Sequence, residues 1–100
     1  MPDLNVKVFL EARTLVIEGA LTQKTVQTAL EKALRLLEKR ALITVDLKGV
    51  AEVDSTSVPF LTTLLRESKK RQISLRFIHL PPKILELSKL SGVENLLFSS

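Results

Sequence analysis

The stretch Val53-Asp54-Ser55-Thr56-Ser57-Val58-Pro59-Phe60-Leu61 constrains the fold of this chain more than any other. An apolar run of strand length, Leu42 to Leu47, leads through a short loop into four small polar side chains, and a helical apolar period begins directly after them. Asp, Ser and Thr gather at such a junction because their side-chain oxygens accept hydrogen bonds from the free N–H groups that open a helix. Pro59 is tolerated because it falls in the first turn, where its missing N–H has no intrahelical partner. A hydroxyl at a helix start is also exposed, and a phosphate placed on it faces the positive end of the helix dipole. The segment reads as a helix cap, the plainer reading, or as a regulated contact point.

Two hydrophobic periods alternate around this junction. Leu4, Val6, Val8 and Leu10 alternate with Asn5, Lys7, Phe9 and Glu11, the period of a half-buried strand. Glu11-Ala12-Arg13 turns the chain into a second strand, Thr14 to Glu18, with Leu15 and Ile17 inward and Gly19 at its end, so the two form a hairpin. Val26, Ala29, Leu30, Ala33, Leu34 and Leu37 then form one stripe of an amphipathic helix, with Thr22 as its N-cap and Lys39-Arg40 at its end. The third strand, Leu42 to Leu47, puts Ile43, Val45 and Leu47 on one face. The second helix, from about Thr56 to Lys70, buries Val58, Leu61, Leu64, Leu65 and Ser68. Ile73 to Ile78 is a fourth strand with Ile73, Leu75 and Phe77 inward. Pro81-Pro82 opens a last helix, Lys83 to Leu90, carrying Ile84, Leu85, Leu87 and Leu90. Gly92 serves as its C′ residue, and Val93 to Phe98 packs the tail down.

Each strand has one apolar and one mixed face, whereas a sheet covered on both sides reads as continuous apolar runs. The expected fold is therefore α/β, a single domain over residues 1–100: a mixed β-sheet of four or more strands with helices mainly on one face. The other face, with Phe9 and Val16, is open to water or a partner.

Composition removes several function classes. There is no cysteine, the N-terminal residues lack the basic and apolar regions of a signal peptide, and no apolar run approaches bilayer length, so a cytoplasmic protein without direct membrane insertion is expected. The net charge is +4, and basic residues gather at Arg66, Lys69, Lys70, Arg71 and Arg76. With no Tyr or Trp to stack on bases, this cluster reads as a solvated helix end and not as a nucleic-acid site. Catalytic chemistry is equally sparse. His79 is the only histidine and reads as a polar loop residue. No Gly-x-Ser-x-Gly elbow surrounds Ser55, Thr56 or Ser57, and Lys48-Gly49-Val50 reads as a turn, not a phosphate loop. Asp46 and Asp54 flank that turn at a spacing open to Mg²⁺, but both have ordinary solvated or capping roles. No catalytic residue, metal or cofactor is expected.

The order of these elements resembles a known family. Gly19-Ala20-Leu21-Thr22 leads into the first helix, Ile43-Thr44-Val45-Asp46-Leu47 precedes Val53-Asp54-Ser55-Thr56, and Leu90-Ser91-Gly92-Val93 closes the last helix. Over nearly the whole chain this is similar to the STAS domain of anti-sigma factor antagonists, sulfate-transporter tails and the small cytoplasmic subunit of Mla-type phospholipid ABC transporters. In the antagonists the loop reads Asp-Ser-Ser-Gly or Asp-Ser-Thr-Gly and the second hydroxyl residue is phosphorylated, which corresponds to Thr56. In the Mla-type subunit the residue after the Asp, here Ser55, lies in the surface that docks on the ATPase subunit. This chain has Ser57 in place of the family Gly, and Pro59 where a small residue is usual. Both make the segment bulkier and stiffer, which weighs against kinase-dependent switching. The tail from Leu87 to Leu97 resembles the transporter-subunit branch.

The resemblance implies a non-enzymatic adaptor that binds and regulates or stabilises the ATPase subunit of a phospholipid ABC transporter, peripheral to the inner membrane through that partner. The alternative it implies is an anti-sigma factor antagonist that meets an anti-sigma factor or serine kinase and is phosphorylated at Thr56 or Ser55. Asp54, Ser55, Thr56, Ser57, Pro59, Thr62, Thr63 and Arg66 are the expected partner-binding residues, with Lys70 further along the same exposed helix stripe. A homodimer is compatible with either role.

Overall fold

The computed structural model describes residues 5–37, 42–90 and 92; the features predicted at Leu4, at Lys39-Arg40 and over Val93 to Phe98 lie outside them. β1 (Val6–Glu11) and β2 (Thr14–Leu21) pair antiparallel across the loop Ala12-Arg13, with Phe9 opposite Val16 and Leu10 opposite Leu15. Ala12 adopts a φ of 53°, the left-handed backbone that a tight hairpin demands. α1 (Val26–Leu36) leads to β3 (Leu42–Val53), α2 (Ser57–Lys70) to β4 (Ser74–Ile78), and α3 (Pro82–Leu90) follows. The sheet order is β1-β2-β3-β4, with β2, β3 and β4 parallel to one another. Two successive crossovers that step in the same direction with the same hand place both helices on one face of the sheet. α1 accordingly lies against β1 and β2, α2 against α1 and β4, and α3 against α2.

The inward residues follow the period of two. Leu15, Ile17, Ile43, Val45 and Leu47 are completely buried from the sheet side, and Ala29, Ala33, Leu61 and Leu64 meet them from the helices. Each large aliphatic side chain in this layer contributes about 1.5–3 kcal/mol by leaving water. The two alanines let α1 approach the sheet closely. α2 buries every residue its stripe predicts: Val58, Leu61, Leu64, Leu65 and Ser68, the last by donating its hydroxyl to the Leu64 carbonyl at 2.7 Å.

The strands differ from expectation in length. Gly19 does not end β2. Its φ of 100° and a register shift between Gly19 and Ala20 bend the strand, which runs on to Leu21 beside Val53. A Cβ at Gly19 would lie 2.3 Å from the Asn5 carbonyl oxygen, so glycine permits the bend instead of terminating the strand. β3 likewise continues past Leu47 to Val53, so Lys48-Gly49-Val50 is strand and not turn. Val16 pairs with Asp46 but Glu18 with Gly49, so β3 carries an extra residue there. A bulge of this kind interrupts the alternation from which a strand is read. The longer strand also places Asp46 and Asp54 roughly 25 Å apart along the chain, which excludes a shared metal.

Two smaller differences concern the helices. Thr25, not Thr22, precedes α1 as its N-cap residue: its hydroxyl donates to the Ala20 carbonyl at 2.7 Å and accepts the Thr22 N–H at 2.9 Å, which folds the loop onto itself. In α3, Ile84 and Ser88 are buried one turn apart, while Leu85 and Leu90 fall off that line and are exposed. Gly92 has the left-handed φ of 70° expected of a C′ residue and donates its N–H to the Lys89 carbonyl.

Candidate functional site

β3 delivers Asp54 to the start of α2. The Asp54 N–H donates to the Leu21 carbonyl, which ties this loop to the end of β2. The carboxylate then joins two loops: Oδ2 accepts the Gln23 N–H at 2.9 Å, and Oδ1 accepts the Thr56 N–H at 2.9 Å together with the Thr56 hydroxyl. Partial burial pushes the Asp54 pKa up, but hydrogen bonds from Thr56 and Gln23, with Lys83 nearby, outweigh it and hold the carboxyl below its ordinary value. One charged group thus fixes the approach to α1 against the first residues of α2.

The far ends of the same two helices are joined as well. Arg71, just past α2, donates from Nη1 to the carbonyls of Leu34 at 2.6 Å and Leu37 at 3.3 Å. These carbonyls lie in the last turn and at the C-cap of α1, where a helix runs out of its own donors, and a cation there also complements the helix dipole. α1 and α2 are therefore held together at both ends. Between them runs a groove of about 270 Å³, lined chiefly by Val26, Leu30, Thr56, Pro59, Phe60 and Thr63.

The predicted residues divide between this surface and its support. Ser55 is exposed, and its hydroxyl makes no hydrogen bond among the described residues. Thr56 is half-buried and its hydroxyl is committed to Asp54. Ser57 lies beneath the surface, fully buried, and donates its hydroxyl to the Asp54 carbonyl at 2.8 Å. Serine is accommodated at this position because it satisfies its own hydroxyl. Pro59 and Arg66 are exposed, while Thr62 and Thr63 are half-buried. Thr62 donates to the Pro59 carbonyl at 3.0 Å, and Arg66 Nη2 donates to the Thr63 hydroxyl at 3.3 Å. Ser55, Thr56, Pro59, Thr63 and Arg66 so form one ridge. Sequence reasoning assigns Val26 and Leu30 wholly to the core and passes over Phe60; the available signal was an apolar residue directly beside the Leu61 stripe.

Other candidate groups are engaged elsewhere. His79 Nδ1 donates to Asp46 Oδ1 at 2.9 Å, and the same oxygen accepts the Lys48 N–H at 2.9 Å. Lys48, then His79, hold the Asp46 carboxyl below its ordinary value against a smaller opposing effect of burial. Lys70 pairs with Glu67 at 3.2 Å, so together with Arg71 part of the basic cluster is spent on helix-end contacts. Among the described residues no three His, Cys, Asp or Glu side chains converge as a metal site, and no helix is long and apolar enough to cross a membrane.

Comparison with known proteins sets this geometry in a family. The sequence pattern described as the Mlab STAS domain matches residues 7–98. No curated protein matches the chain. Among solved structures, the fold is similar to an anti-sigma factor antagonist from Mycobacterium paratuberculosis, with a TM-score of 0.72 and 13% identity over 94% of this chain and 82% of that one. It is also similar to the Bacillus cell fate determinant SpoIIAA in its phosphorylated form, with a TM-score of 0.67 and 17% identity over 94% and 89% of the two chains. The unphosphorylated form of SpoIIAA gives 0.68 and 17% over 94% and 86%. At these identities the likeness is one of fold. The family match spans nearly the whole sequence and the four-stranded sheet agrees with it: the chain belongs to the STAS-domain family, in the group described as Mlab.

Proposed function

We infer that this STAS domain is a non-enzymatic adaptor that docks on the ATPase subunit of a phospholipid ABC transporter through the α1–α2 groove and the ridge beside it. The observation that carries this reading is the apolar groove between two helices clamped at one end by Asp54 and at the other by Arg71. A surface held rigid before binding loses little conformational freedom on association, so its apolar area translates into affinity. The short side chains Ser55, Thr56 and Thr63 allow a partner backbone to come close, and Arg66 supplies an anchor of a type enriched at interfaces. The Mlab family match supports the transporter as the source of the partner. Docked there, the domain sits on the cytoplasmic side of the inner membrane.

The second reading is an anti-sigma factor antagonist. It is favoured by the hydroxyl of Ser55, exposed and without a hydrogen-bond partner among the described residues. The Thr56 hydroxyl is the less suitable acceptor, because a phosphate there would bring about −1.5 to −2 of charge against the ionised Asp54. Affinity purification of the tagged chain from its native host separates the two readings. Recovery of an ABC ATPase subunit supports the adaptor, whereas recovery of a serine kinase with phosphate on Ser55 overturns it in favour of the antagonist.

A further inference from the structure

The sheet face turned away from the helices carries an ordered set of side chains that the α1–α2 groove leaves unused. Backbone register aligns Glu11, Thr14, Thr44 and Arg76 in one row across the four strands, and Phe9, Val16, Asp46 and Ile78 in the next. These residues alternate with core residues along their strands, so they point away from the helices. Glu11 and Arg76 end the first row, are exposed, and have no ionic partner among the described residues. Three strand spacings, roughly 14 Å, keep them from meeting within one molecule. The second row ends in Phe9 and Ile78, both half-buried although they lie on the outer face.

Opposite charges at the two ends of one row, with apolar residues at both ends of the next, make a surface complementary to its own copy. A two-fold axis parallel to the strands and midway across the sheet lays β1 of one copy over β4 of the other. Glu11 then faces Arg76 of the second copy, Phe9 faces its Ile78, Thr14 its Thr44 and Val16 its Asp46, each contact occurring twice. Sheets pack face to face at about 10 Å with a rotation near −30°, which long Glu and Arg side chains can span. The Asp46 carboxylate enters this interface already bonded to the Lys48 N–H and to His79.

We propose that this open face is the interface of a homodimer of the chain. The face measures roughly 19 by 16 Å from strand spacing and rise, small against the about 800 Å² per partner of a stable interface, so the dimer is weak and concentration-dependent. It leaves the α1–α2 groove of each copy facing outward, which makes the dimer a bivalent adaptor whatever the groove binds.

Sedimentation velocity over about 10 μM to about 1 mM tests this. The weight-average mass should rise from monomer towards dimer. Glu11→Arg and Arg76→Glu should each weaken association at least ~10-fold, and the double variant should recover most of that loss. Phe9→Asp should abolish association, with thermal melts run on every variant. A monomer throughout the range overturns the proposal. So does a dimer indifferent to these substitutions, or a double variant that folds with the wild-type melting temperature but does not recover association.

Discussion

Replacing Asp54 by Asn tests the clamp at the head of the two helices. The carboxylate accepts two backbone N–H groups and one hydroxyl through its two oxygens, and Asn offers one neutral oxygen for the same three donors. A hydrogen bond to a charged group is worth about 1.5–3 kcal/mol and a neutral one about 0.5–1.5. One bond is lost and the remainder are weakened, while the exposed Gln23 N–H can turn to water, so the net cost is about 2 kcal/mol. For a domain of this size each kcal/mol moves the melting temperature by about 4–8 °C, so a loss of about 10 °C is expected near neutral pH. The pH dependence carries the sign. The folded Asp54 carboxyl titrates below its ordinary value of 3.8, so its contribution is complete above that value and disappears as pH falls through the lower folded one. Urea unfolding of both proteins from neutral pH downwards should show a stability gap that closes in acid. A gap that stays constant into acid, or one below about 0.5 kcal/mol at neutral pH, would refute the assignment.

Gly19→Ala should cost about 3 kcal/mol or expel β1 from the sheet, since the new Cβ meets the Asn5 carbonyl oxygen at a left-handed φ; urea titration measures it. Arg71→Ala should cost about 1 kcal/mol in the same assay and raise hydrogen exchange at the C-terminal end of α1, because it frees the Leu34 and Leu37 carbonyls. Leu64→Ala, in the middle of the core, should cost about 2–5 kcal/mol, which sets the scale against which the surface variants are judged.

Sequence reading recovers the fold wherever a side-chain period runs unbroken. Val6, Val8 and Leu10, the α1 stripe through Leu37, and Val58 to Ser68 in α2 all face the core as their spacing requires. It shortens β2 and β3 because a bulge opposite Val16 and Glu18 and the left-handed Gly19 erase the alternation while backbone pairing continues. Asp54 and its neighbours are legible as a helix start because the Asp54–Thr56 contact is local, although Thr56, the N-cap residue of α2, makes no side-chain capping bond of its own. The Gln23–Asp54 and Arg71–Leu34 contacts are not legible, since they join residues more than thirty positions apart and depend on how α1 and α2 lie together. The groove is illegible for the same reason: Val26 and Leu30 pack against the core as their spacing requires, and that they and Phe60 also line a groove shows only once the two helices are placed side by side. Ser57 reads as surface by its polarity, yet its hydroxyl finds the Asp54 carbonyl and goes inside.

The docking surface is tested most directly by calorimetric titration of the purified chain, as wild type, Ser55→Arg and Thr63→Arg, against the phospholipid-transporter ATPase subunit of the same organism. Both substitutions place a long charged side chain on the ridge, and surface changes alter stability by no more than about 0.5 kcal/mol. The expected result is saturable binding by the wild type and none by either variant, all three sharing one melting temperature. Undiminished binding by both variants would contradict the assignment of the α1–α2 ridge as the docking site.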